Sequence, residues 1–221
     1  MTMKTASVLV LSLLLAACGS GGPPPADWKM NAVSLMEHAQ TRWMEGDAKA
    51  ADLAQQKVRV EIAKSGRVDL LARAELAACA ARAAVLDFAP CPAYDALTRD
   101  AAQEDQAYAQ FLAGAWTGLD AKRLPAHYQP LATAKDDKAA NSAALEIKDP
   151  LARLIGLALL FKQARIQPEG LAAAVDTASE RGWRRPLLAW LEVSRQRAQA
   201  AGDQDAAARI SRRIELATAT R

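Results

Sequence analysis

A chain of 221 residues with a net charge of +3 and 24% charged residues is long enough for one sizeable hydrophobic core and is close to neutral. Alanine supplies nearly a quarter of the residues, β-branched residues are few, and no run alternates apolar and polar side chains over strand length. The composition therefore predicts an all-α fold, and the even spread of charge excludes the concentrated basic face of a nucleic-acid binder.

The chain opens with one basic residue, Lys4, followed by the apolar stretch Ala6 to Ala17, broken only by Ser7 and Ser12. This is the layout of an export signal. As a helix the stretch would span roughly 18 Å, well short of a ~30 Å hydrocarbon core. It ends in Leu15-Ala16-Ala17-Cys18 followed by Gly19, which resembles the lipobox of bacterial lipoproteins. The resemblance implies that residues 1–17 form a signal peptide that is removed, that the Cys18 thiol takes diacylglycerol, and that the lipid bilayer holds the chain through acylated Cys18. Two or three acyl chains anchor stably where one binds only marginally. Gly19, in place of an Asp after the lipidated cysteine, implies the outer membrane, facing the periplasm. Residues 18–26 then read as a Gly/Pro tether reaching roughly 25 Å, which lets a single α-helical domain, 27–221, sit off the bilayer without packing into it.

The first helix is expected from Asp27, as N-cap, to about Glu45, with Trp28, Ala32, Leu35, Met36, Ala39 and Trp43 on one face. Gly46-Asp47 closes it and caps a second helix, about 48–64, that buries Ala51, Ala54, Val58 and Ile62. Ser65-Gly66 ends that helix, and a third, Val68 to about Leu86, is rich enough in alanine for close helix approach. The order Leu35, Ala39, Trp43, Gly46-Asp47, Ala51 and Val58 resembles a tetratricopeptide-like helical hairpin, and Leu191, Gly202-Asp203, Ala207 and Ile214 repeat part of it. Gln55 and Ser211 stand where that family carries an aromatic, and the middle of the chain holds no clean 34-residue period. The architecture expected is all-α, built of antiparallel helical hairpins, either tetratricopeptide-like or an irregular α-bundle, with about 8 to 10 helices including short ones.

Beyond Pro90-Cys91-Pro92 a helical stretch is expected through Phe111, with Tyr94, Leu97, Ala101, Tyr108 and Leu112 also inward. Short turns follow Gly114, and another helix runs from Asp136 or Asp137 to Ile147. Asp149-Pro150 starts the most apolar helix, Leu151 to Phe161, which is apolar all round and so belongs at the centre of the core. Two helices start near Pro168 and Pro186, and the last runs from Asp203 to about Ala217 with Arg209, Arg212 and Arg213 outward.

With Cys18 lipidated, Cys79 and Cys91 are left as an even pair for an oxidising compartment, close enough in sequence for a disulfide. Chemistry-bearing motifs are sparse. His38 and His127 lie far apart with no zinc-ligand spacing, and no nucleophile elbow or phosphate-binding loop is present. No cofactor and no metal are expected, and Glu37, Glu75 and Glu104 lack the surroundings of a catalytic acid. Trp183, Arg184 and Arg185 stand out because two arginines at a helix N-terminus oppose the macrodipole. They either pack structurally or form a site for an anionic partner, since Trp and Arg are frequent hot-spot residues. Two functions remain open. One is a non-enzymatic scaffold or accessory lipoprotein that binds an envelope protein; the other is a helical envelope hydrolase or small-ligand carrier with a pocket near 114–149.

Overall fold

In the computed structural model, residues 26–219 are described. The leader, Cys18 and nearly all of the tether lie outside them. Among the described residues all regular structure is helical: α1 Asp27–Glu45, α2 Ala48–Ala63, α3 Val68–Ala83, α4 Pro92–Asp95, α5 Gln103–Ala113, α6 Gln129–Ala132, α7 Asp137–Glu146, α8 Pro150–Lys162, α9 Pro168–Glu180, α10 Arg184–Ala200 and α11 Gln204–Ala219. Two short 3-10 turns, Ala121–Arg123 and Ala126–Tyr128, precede α6. No helix among the described residues is long and apolar enough to cross a membrane.

Local chemistry sets most helix ends. Gly46 takes φ +97° and closes α1, while Asp47 accepts the Ala50 N–H at 3.0 Å and opens α2 as its N-cap. Asp136, Asp149 and Asp203 cap α7, α8 and α11 in the same way, through the N–H groups of Ala139, Ala152 and Ala206. Asp27, expected as a cap, is instead the first helical residue; Ala26 occupies the cap position and offers no side-chain acceptor. Consecutive helices α1 and α2 form an antiparallel hairpin, and α10 and α11 form another at the far end of the chain.

The expected continuous helix from Pro92 to Phe111 is broken. Only Pro92–Asp95 is helical before a run of turns, and α5 starts at Gln103. The break is held by the Gln106 amide, which donates to the carbonyls of Thr98 (3.3 Å) and Ala101 (2.9 Å), and by burial of Tyr94 and Ala101 against Ala72 and Leu76 of α3.

Helix α8 is the centre of the core, with Leu154, Leu157, Leu159 and Leu160 fully buried. Each such side chain contributes roughly 1.5–3 kcal/mol through removal from water. Around it pack Met44 from α1, Ala80 and Ala84 from the α3 region, Phe111, Tyr128, Leu131, Ile147 and Trp190. Trp190 meets the Phe161 ring edge-on at 5.9 Å and donates its indole N–H to the Ala84 carbonyl at 3.2 Å, so α10 is fastened to the end of α3 across the core. Asn141 is a second joint: its amide donates to the carbonyls of Asp137 (2.7 Å) and Arg165 (2.9 Å), and its Oδ1 accepts the Gln167 N–H (2.9 Å). This buried side chain thereby ties α7 to the turn between α8 and α9.

Candidate functional site

Helix α3 presents Ala74, Ala77, Ala78 and Ala81 at i, i+3, i+4 and i+7, which places them on one face. Ala74 is buried against α1 and α2 and Ala81 against the main core, while Ala77 and Ala78 between them are half-buried. Because the side chains end at Cβ, α3 forms a recessed floor between taller walls. On one side Val33, Met36, Glu37, Ala39, Gln40 and Trp43 of α1 enclose a recess of about 240 Å³ with Gln55 of α2. On the other side Glu104, Asp105 and Tyr108 of α5 and the turn Lys122–Pro125 enclose a second, of about 520 Å³, over Leu76. Ala77 lines both, so the two recesses adjoin at α3, and together they are called the trough.

The trough has an apolar floor, and several of the charges along its rim are paired. Glu75 is buried behind the floor and accepts two bonds from the Arg59 guanidinium, at 2.6 and 2.9 Å, which holds the Arg59 pKa above its ordinary value. Asp105 is buried beside the second recess and accepts from Arg73 Nε at 3.0 Å. Arg123 pairs with Asp120 at 3.1 Å and reaches Glu104 at 3.6 Å. Gln55 donates to the Ala74 carbonyl at 3.4 Å, so a polar side chain occupies the position where the hairpin resemblance calls for an aromatic ring. Below the rim, Tyr108 stacks on Tyr128 at 5.7 Å, and desolvation pushes the Tyr108 phenol up to about 12, partly countered by its hydrogen bond with Tyr128.

Trp183, Arg184 and Arg185 are half-buried and diverge. The Arg185 guanidinium lies 3.7 Å above the Trp43 ring centroid, with burial lowering its pKa and Asp52 and Asp87 opposing that shift. Arg184 lies against the α1–α2 turn, where a Cβ on Gly46 would come within 3.3 Å of its guanidinium. Trp183 packs on the main core and carries Arg181 at 5.4 Å over its ring. While Trp183 packs on the main core, the arginines at the start of α10 therefore join the last helices to the first hairpin. That contact links residues far apart in sequence and leaves no local signal.

Cys79 and Cys91 are bonded, with their Cα atoms 6.1 Å apart. The bridge fastens the start of α4 to α3. Beside it Arg82 holds Asp87 through two 2.9 Å bonds and donates to the Pro90 carbonyl at 3.2 Å. Those bonds keep the Asp87 carboxyl below its ordinary pKa.

The other candidates do not assemble into a reaction centre. His38 is exposed on α1, and exposed His127 meets the Tyr128 ring edge-on at 4.2 Å with its pKa lowered by desolvation. Among the described residues no three His, Cys, Asp or Glu side chains are grouped to hold a metal. The region 114–149 fills its own interior with Leu124, Tyr128, Leu131, Ala140, Ala144 and Ile147, and only Lys122–Pro125 reach the trough. Comparison with family models, with curated proteins and with solved structures gives no match.

Proposed function

We propose that this chain is a lipoprotein anchored by Cys18 in the outer membrane, facing the periplasm, where it acts as a non-enzymatic scaffold that holds an envelope protein in the trough over α3. The observation that carries the reading is the distribution of its three cysteines. Cys79 and Cys91 are joined inside the folded domain, and Cys18 is left alone ahead of it, directly after the apolar run and the small residues Ala16 and Ala17. A disulfide suits an exported chain, and a single cysteine at that place suits lipidation. The trough supports the scaffold role because its floor is apolar, it is open to solvent, and Arg73 with Asp105 and Arg123 with Glu104 pair on its rim. Such a surface recognises apolar side chains of a protein partner rather than a small charged substrate.

The test places a photoreactive benzophenone residue at Gln40 in whole cells. The expected result is one identified envelope protein crosslinked at that position and lost on Ala78→Trp, which fills the floor, with the helical circular dichroism unchanged. Crosslinks that survive Ala78→Trp would reject the trough as the binding surface. A small-ligand carrier is the second reading, favoured by the 520 Å³ recess with its Leu76, Tyr108 and Leu124 surfaces. A small molecule retained by the purified protein in native mass spectrometry, and displaced by Ala77→Trp, would select it.

A further inference from the structure

Resting on the lipid-anchor reading above, we propose that the end of the domain where the tether enters touches the bilayer, with Met30, Val60 and Val68 resting in the headgroup region of the leaflet that holds Cys18. These three side chains lie at one end of the molecule. The antiparallel hairpin sets the start of α1 beside the end of α2, with Asn31 close to Glu61. The turn Ser65-Gly66-Arg67 then brings Val68, the first residue of α3, to the same end. Among the described residues the large exposed apolar side chains are Met30, Val33, Leu53, Val60, Val68 and Leu216; Val33 borders the trough, and three of the other five lie at this end.

Their exposure is not a by-product of core packing. On α2 the core face is Val58 and Ile62, both buried, whereas Val60 between them points outward and is 62% exposed. A polar residue there would cost the fold nothing, and a cluster of exposed aliphatic side chains marks a contact surface. Charges at this end balance in number: Lys64 pairs with Glu61 at 2.7 Å, Arg67 with Asp69 at 2.8 Å, and exposed Lys29 is offset in sign by Asp27. The contact is therefore apolar rather than electrostatic, and salt should leave it intact.

The tether names the occupant. Gly19 to Ala26 can extend to no more than about 30 Å, and they join the domain at Asp27. This end is therefore held nearest the membrane. Short tethers give effective concentrations in the millimolar range, so a contact too weak to recruit a free protein is still populated. The opposite end serves as a reference. Ala217 lines a recess with Gly46 and Asp47, which places Leu216 near the α1–α2 turn, about 20 Å from Val60 along the axis of α2.

The test uses the acylated protein reconstituted in phosphatidylethanolamine–phosphatidylglycerol vesicles, with a benzophenone side chain replacing either Val60 or Leu216, irradiated and read by mass spectrometry. Phospholipid adducts at position 60 that persist in high salt, together with their loss at position 216, are the expected result. Absent adducts at position 60, or equal yields at both positions, would overturn the bilayer contact while leaving the anchor standing, because the same spectra report the acyl chains on Cys18. An unmodified Cys18 in protein taken from cell membranes would overturn the contact and the anchor together.

Discussion

Removing the bridge between Cys79 and Cys91 should lower stability without unfolding the domain. The cysteines are 12 positions apart, and loop-closure entropy for a ring of that size gives about 3 kcal/mol at room temperature. For a domain of this size each kcal/mol corresponds to about 2–4 °C, so the melting temperature should fall by about 6–12 °C. The fold should survive, because the same loop is held by the Arg82–Asp87 pair and by burial of Tyr94 against α3. The assay is thermal unfolding followed by circular dichroism, comparing the oxidised protein, the reduced protein and the Cys79→Ser/Cys91→Ser variant. Reduced and double-variant proteins should melt together, both below the oxidised form. Equal melting temperatures with and without reductant, or alkylation of both thiols before any reduction, would refute the reasoning.

Three further outcomes follow from particular contacts. Asn141→Leu should cost about 2–4 kcal/mol in urea unfolding, because the buried Gln167 N–H and Arg165 carbonyl lose their partner. Ala164→Gly should raise stability by about 1 kcal/mol in the same assay, since Ala164 is exposed and holds φ +57°, a conformation that glycine adopts without penalty. The Tyr108 phenol is raised from 10.0 to about 12 in the folded state, so its contribution to stability is complete below pH 10 and lost as pH rises from there through about 12. Phenolate absorbance against pH should show one late-titrating phenol fewer in Tyr108→Phe, with buried Tyr128 still titrating late, and unfolding of the variant should be less steeply alkali-sensitive over that range.

The parts of the fold legible in the sequence are those set by neighbouring residues. Gly46-Asp47, Asp149-Pro150 and Gly202-Asp203 mark their boundaries because glycine at positive φ and aspartate at an N-cap act within a turn of the chain. The apolar run 151–161 announced the central helix for the same reason. Where α3 and α8 end, the sequence holds no such marker: α3 stops at Ala83, before the Leu86 limit expected. Leu86 and Ala164 adopt φ +63° and +57° at the C′ position, with Asp87 N–H bonded to Arg82 O and Arg165 N–H to Leu160 O, and neither residue is glycine. The break after Asp95 is likewise imposed by Tyr94 packing on α3 and by the Gln106 amide, neither of which has a sequence signature. At the candidate site, the alanine spacing of α3 is visible in the sequence, but which of those alanines the neighbouring helices cover is not. That depends on where α1 and α5 pass, which is decided by Trp43 beneath Arg185 and by the stack of Tyr108, Phe111 and Tyr128.

Everything proposed about location and role turns on the state of one thiol. Intact-mass and peptide mass spectrometry of the protein extracted from membranes with detergent reads it directly. The account expects a chain that begins at Cys18, carries diacylglycerol on its sulfur and lacks residues 1–17. A membrane-bound chain that retains those residues, or that begins elsewhere with the Cys18 thiol unmodified, would contradict it.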